Sequence, residues 1–220
     1  MATHNRVVIE TGTKKVFASA IDWPGWSRSG RTEDDALATL AHYADRYRVV
    51  ADLAHTRGVV AAAGDLQVVE HVQGGGATDF GIPDRPAEIE REPMSESECD
   101  RQTRLLAACW ETFDRVAASV SAELRKGPRG GGRDRDAIIS HVRESERSYA
   151  RALGLRVAAD ALGDPNGLAA HRDAVRAAMA GLNRSGEVPG AWPVRYVIRR
   201  MSWHLLDHAW EMEDKDLSDG

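Results

Sequence analysis

The spacing of apolar residues changes once along this chain of 220 residues, and that change restricts the folds open to it. Up to about residue 76, short runs that look like β-strands alternate with turns and one helical stretch. From residue 96 onward, apolar residues recur every three to four positions, as they do in amphipathic helices. We therefore expect an α+β module over residues 1–76, followed by an all-α four-helix bundle over residues 96–220.

The α+β module is predicted to begin with a hairpin of two strands, residues 6–11 and 15–21, and a short third strand. Thr32 is predicted to cap the helix that follows, with Asp35 completing a capping box. The apolar stripe of this helix continues as far as Ala54, so a single long helix is expected.

A further strand and a connecting segment complete the predicted organisation. The strand is expected over residues 66–72, and residues 77–95 are rich in Gly, Pro and charge, which is typical of a linker or an extended strap. The helices of the bundle are predicted over residues 96–125, 134–154, 166–182 and from just after Pro193 to about Asp214.

Composition argues against several classes of partner. The 29 basic and 34 acidic residues give a net charge of −5 without a basic stripe, so a nucleic-acid partner is not expected. No run approaches the roughly 20 apolar residues of a membrane span. Cys99 and Cys109 would lie about 15 Å apart on one helix, beyond the reach of a disulfide. A reducing cytoplasm is the expected location.

Three histidines are the main candidates for chemistry. His204 and His208 stand four residues apart, which puts both imidazoles on one face of the last predicted helix. The helical phase directs that face toward the core, and it directs His141 of the second predicted helix inward as well. Neutral imidazole is the commonest nitrogen ligand of divalent metals, so we predict a three-histidine site for one Zn, Ni, Fe or Mn ion.

Other residues near these histidines have open roles. Tyr149 could line the site or donate a proton, or it could be a buried tyrosine with one hydrogen bond. His171 faces inward on the third helix, where it could contact the substrate, act as a fourth metal ligand or simply pack in the core. Arg195 and Arg200 could bind an anionic substrate or the carboxylate of a thiol, or they could belong to a solvated helix face.

A second stripe of large side chains runs along the last helix, roughly opposite the histidines. It includes Tyr196, Trp203 and Trp210, which would be unfavourable to expose together. We expect packing residues here, covered either by the α+β module or by a second subunit in a homodimer.

The histidine motifs resemble those of a known family. The run Ile138-Ile139-Ser140-His141-Val142, and His204-x-x-x-His208 followed by Glu211, are similar to motifs of the DinB/YfiT-like metalloenzyme superfamily over residues 95–214. The resemblance implies a four-helix bundle of up-down-down-up type that holds one metal through three histidines, with Glu211 outside the ligand set. It also implies thiol-dependent transfer or isomerisation, including reactions that use mycothiol, or hydrolysis.

The first half has a looser resemblance of its own. Residues 21–26, which end a strand, and residues 32–37, which open a helix, resemble the HicB-like antitoxin fold. That resemblance implies a module for docking or dimerisation.

Three functions follow as hypotheses. The leading one is a metal-dependent enzyme that activates a low-molecular-weight thiol, as a co-substrate, or water against a small-molecule substrate. The second is a non-catalytic regulatory or interaction protein that binds a metal or ligand. The third is a small-molecule sequestration or resistance protein with a structural metal.

Overall fold

The structure is a computed structural model that describes residues 5–56, 65–128, 131–158, 160–187, 190 and 192–218. A short 3₁₀ turn at Glu88–Arg91 precedes the four longest helices. In chain order the strands and α-helices are β1 (Asn5–Thr11), β2 (Val16–Ala20), β3 (Ser27–Gly30), α1 (Glu33–His42), α2 (Ala44–Leu53), β4 (Leu66–Gln73), α3 (Gly76–Phe80), α4 (Glu96–Ser119), α5 (Arg135–Ala152), α6 (Pro165–Ser185) and α7 (Val194–Lys215).

The strands form one mixed sheet in the order β3-β2-β1-β4. β1 pairs antiparallel with β2, with Val7 opposite Ala20, and β2 pairs antiparallel with β3. β4 pairs with β1 in parallel, with a register shift between Val7 and Val8. A parallel pair needs a crossover connection, and the chain between β3 and β4 includes the helices α1 and α2.

The capping box predicted at Thr32 and Asp35 is present at the start of α1. The helix expected to run on to Ala54 is divided at Tyr43, where ψ is 2° and α1 ends. Both parts stay packed, since the ring of Tyr47 in α2 stacks on Trp26 at 5.6 Å between centroids. The apolar stripe therefore predicts which side chains are buried and misses the break.

The predicted fold class, an α+β module followed by an all-α four-helix bundle of up-down-down-up type, is wrong. The described part of the chain has a mixed class, with a four-stranded mixed sheet and seven α-helices. One apolar cluster contains Ile9 of β1, Leu105 of α4 and Leu205 of α7. Because strands and helices share this core, the helical half does not stand as a separate bundle.

Helix α7 shows the physical reason for this correction. Every residue from 195 to 206 is buried, so this part of the helix has no solvated face. Trp203 of α7 meets Phe17 of β2 edge-on at 6.2 Å between ring centroids, and the ring of Trp210 lies 5.1 Å from that of Tyr43. The sheet and α1 thus cover the side of α7 that faces away from the histidines.

Residues 77–95, expected as a linker or strap, lie against β1 and α7. Thr78 donates a hydrogen bond of 2.6 Å to Glu10 of β1. Arg199 of α7 forms two hydrogen bonds with Glu90, of 2.6 Å through Nε and 3.0 Å through Nη2. This segment therefore ties the sheet to the last helix. Within the described ranges, no helix has the length and apolar character needed to cross a membrane.

Candidate metal centre

The structure brings together the three histidines predicted as metal ligands. His141 lies on α5, and His204 and His208 lie one turn apart on α7. Their ring centroids form a nearly equilateral triangle, with separations of 5.0 Å from His141 to each of the others and 4.7 Å between His204 and His208. One nitrogen from each ring lies within 4.8 Å of the other two. The three rings therefore face a common centre.

The closest pair of nitrogens has a spacing that suits a shared cation. The Nε2 atoms of His204 and His141 are 3.1 Å apart. Two imidazole nitrogens bound to one metal at about 2.0–2.1 Å would lie roughly 3 to 3.4 Å apart. The spacing of the histidine nitrogens thus fits a divalent metal ion bound between them.

The third ligand is oriented by a carboxylate. Nδ1 of His208 lies 2.8 Å from Oε2 of Glu211, which leaves Nε2 of His208 free to act as a ligand. Glu211 also accepts a hydrogen bond of 2.5 Å from Lys215. The hydrogen bond with His208, together with Lys215, lowers the pKa of Glu211 to about 2. A carboxylate that is ionised at neutral pH therefore fixes the tautomer of His208, as is common for metal-bound histidine.

Burial keeps the other two ligands neutral. It lowers the pKa of His204 well below its ordinary value, and the neighbouring His208 and Arg200 add to the effect. Burial and the nearby His208 also lower the pKa of His141. Because only unprotonated imidazole binds a metal, both rings are ready to coordinate at neutral pH.

His141 is the least buried of the three histidines. This residue borders a surface depression of about 280 Å³, lined also by Glu144, Ser145, Arg147, Ser148 and Arg151. Three protein ligands leave further coordination positions for water or substrate. The arrangement can thus support a catalytic site rather than only a closed structural one.

Tyr149 lies beside the centre, as its position two turns after His141 predicts. Its ring centroid is 5.9 Å from that of His204. Burial raises the pKa of Tyr149, while Arg200 acts in the opposite direction. The phenol is therefore protonated at neutral pH and can donate a hydrogen bond.

His171 does not join the other histidines. It is buried on α6 and faces Glu146 of α5, with 3.9 Å between Nε2 and Oε2. Burial raises the pKa of Glu146 to about 7, and Arg172 opposes this shift. Sequence reasoning missed Glu146, although a signal was available, because a charged residue four positions after Val142 falls on the inward stripe of α5.

The arginines predicted to bind substrate have different environments. Arg195 pairs with Glu98 of α4 at 3.3 Å, which explains its burial without a ligand. Arg200 lies near the histidines, with its guanidinium 5.5 Å from the centre of the Tyr149 ring.

The three residues predicted to pack are all buried within this chain. Trp203 and Trp210 contact the N-terminal half, as described above, and Tyr196 meets Trp192 at 5.2 Å between ring centroids. The N-terminal half thus provides a cover for the tryptophans, and a homodimer stays a prediction.

Comparisons with models of protein families, with curated proteins and with solved structures each find no significant match. No family is therefore assigned to the chain. The resemblance to the DinB/YfiT-like superfamily stays a prediction based on the histidine motifs.

Proposed function

We propose that this protein is a metal-dependent enzyme in which His141, His204 and His208 bind one divalent cation. The observation that carries the proposal is the convergence of three imidazole nitrogens, from two helices, within 4.8 Å. Imidazole ligands suit Zn, Ni and Fe better than Mn, which favours oxygen ligands. Zn is therefore the first ion to test.

The chemistry of the site follows from its ligands and surroundings. When bound, the cation supplies Lewis acidity and lowers the pKa of a coordinated thiol or water toward neutrality. Glu211 holds the ring of His208 in the orientation that presents Nε2. A small-molecule substrate is proposed to approach from the depression that His141 borders.

The nucleophile is proposed to be either a low-molecular-weight thiol or water. The histidine motifs resemble those of a superfamily with thiol-dependent transferases and isomerases, which supports a thiol co-substrate. A hydrolase that uses water would need the same three ligands. A cytoplasmic location accords with the free and buried thiols of Cys99 and Cys109.

The test combines metal content with turnover. The full chain is purified, loaded with Zn²⁺, passed through a desalting column and analysed for metal, beside His208→Ala. We expect about one Zn per chain in the wild type, because three histidines converge, and a large loss in the variant. Thiol-transfer and hydrolase screens on the same samples should show activity that follows the metal content.

His171→Gln is the matched control, because His171 is also buried on a helix but lies outside the triangle. It should retain the metal. A wild-type protein that holds almost no metal after loading would contradict the proposal. A fully loaded protein without turnover in either screen would contradict the enzymatic part and favour a regulatory or sequestration protein.

A further inference from the structure

Arg200 is a buried cation without a carboxylate partner among the described residues. Only 8% of its surface is exposed, and its Nε and Nη1 atoms are shielded from solvent without an acceptor. Two other arginines of α7 are buried to a similar degree but have carboxylate partners, Glu98 for Arg195 and Glu90 for Arg199. Because an unpaired charge is very unfavourable in a protein interior, the environment of Arg200 needs an explanation.

Aromatic rings account for only part of that environment. The guanidinium lies 4.7 Å from the centre of the Trp203 ring and 5.5 Å from that of Tyr149. Such contacts stabilise a cation through the faces of the rings but provide no acceptor for its N–H groups.

Arg200 adjoins the proposed metal centre. Tyr196, Arg200, His204 and His208 follow one another at intervals of four residues, so each is about 6 Å further along α7. Tyr149 of α5 lies against both Arg200 and His204. A group held by Arg200 would thus lie roughly one helical turn from a metal ligand.

We propose that Arg200 forms a subsite for the carboxylate of the molecule that binds at the metal. The substrate class is then a small carboxylate-bearing thiol or electrophile. One guanidinium carries a single positive charge, which matches a carboxylate better than the double charge of a phosphate. This inference deepens the proposed function and rests on it, because it takes the three histidines to be the metal site.

The first test needs no metal. Thermal unfolding of the metal-free full chain is measured with increasing propionate, at constant ionic strength with chloride. The midpoint of the wild type should rise with propionate, because a ligand that binds only the folded state stabilises it. Arg200→Met should unfold at a midpoint equal to or above that of the wild type without propionate, and should not respond to it.

Arg195→Met is the matched control, because it removes an equally buried but paired arginine from the same helix. It should unfold at a lower temperature and still respond to propionate. A wild type that does not respond would overturn the proposal, as would an Arg200→Met variant clearly less stable than the wild type. A stronger response to inorganic phosphate than to propionate would overturn the choice of carboxylate.

The second test places the subsite beside the metal. Co²⁺-loaded protein is titrated with 3-mercaptopropionate and with the uncharged 3-mercaptopropan-1-ol, and binding is followed through the thiolate-to-cobalt absorption band. The wild type should prefer the carboxylate by about tenfold or more, because a charge-assisted hydrogen bond is gained. Arg200→Gln should lose this preference and Arg195→Gln should keep it.

The two proposals fail in distinguishable ways. If the protein binds no Co²⁺ but responds to propionate through Arg200, the metal function fails and the anion subsite stands. If Co²⁺ binds and both thiols bind equally well in the wild type, the metal site stands and the subsite is refuted.

Discussion

At the scale of single residues, Glu211 determines which nitrogen of His208 faces the proposed metal. Its carboxylate lies 2.8 Å from Nδ1 and is held in place by Lys215 on the next turn. The histidine thereby keeps one tautomer and one ring orientation. A carboxylate in this position also raises the basicity of the ligand nitrogen.

Replacing Glu211 by Gln should weaken metal binding by about 10- to 100-fold, because the charged acceptor on His208 is lost. The dissociation constant for Zn²⁺ can be measured by competition with a chelator. Glu213→Gln is the control on the same helix, since Glu213 pairs with Arg46 at the surface. Equal affinity in the wild type and the Glu211 variant would show that the hydrogen bond has no role at the metal.

The convergence of the three histidines could be predicted from the sequence because two signals agreed. The spacing of His204 and His208 put both rings on one face, and the apolar phase directed that face inward. His141 was found by the same phase argument on a second helix. The role of Arg200 was open at that point, because only tertiary contacts show that Arg195 has a carboxylate partner and Arg200 does not.

At the scale of helices, a second polar cluster lies between α4, α5 and α6. Arg172 of α6 is hydrogen-bonded to Asp114 of α4, and its Nη2 atom lies 3.6 Å from Oε1 of Glu146 on α5. His171 and Glu146 are both buried without a hydrogen bond within the described ranges. Because burial raises the pKa of Glu146, we expect this cluster to make the stability of the helix packing depend on pH.

Glu146→Gln should stabilise the metal-free protein at pH 8 and have little effect near pH 5. The pKa of Glu146 is raised to about 7 in the folded state, mainly by burial. The folded state therefore keeps a proton that the unfolded chain releases above about pH 4.3, so the stability of the wild type falls as the pH rises from about 4.3 to 7 and levels off above that.

Glutamine removes this ionisation, so the variant should gain roughly 2 kcal/mol at pH 8 relative to pH 5. Urea denaturation at the two pH values provides the measurement. Glu144→Gln, an exposed neighbour on α5, should show no such pH dependence. A Glu146 variant whose stability differs from the wild type equally at both pH values would argue against a raised pKa.

Helix positions were more predictable from the sequence than strand pairing. The second predicted helix, residues 134–154, becomes α5 at Arg135–Ala152, and the third becomes α6 with similar bounds. Helix α4 ends at Ser119 instead of residue 125. The pairing of β4 with β1 was not predicted, because the partner of a strand is set by contacts between distant segments rather than by its own period.

At the scale of the whole molecule, α7 is central and the fold is built around it. The helical period correctly indicated an apolar face, but such a pattern does not specify which layer covers that face. The second stripe of α7, with Trp203 and Trp210, was the sign that another layer packs there. The sheet packs on that stripe and shares one apolar core with the helices, which is why the predicted class of a module followed by a separate bundle fails.

This central position also gives the proposed metal ligands rigid support. His204 and His208 belong to a helix that is packed on both sides. His141 contacts them although it lies 63 residues before His204 in the sequence. The ion pair between Glu90 and Arg199 also connects residues 77–95 to this helix. The proposed function thus depends on all three imidazole rings binding the same cation.

X-ray absorption spectroscopy of the Zn-loaded full chain tests that claim most directly, because it reports the ligands around the metal. We predict three imidazole nitrogens at about 2.0–2.1 Å, with the remaining coordination filled by oxygen donors. His208→Ala should reduce the imidazole count or abolish binding. A spectrum of the wild-type protein with one imidazole or none would contradict the account.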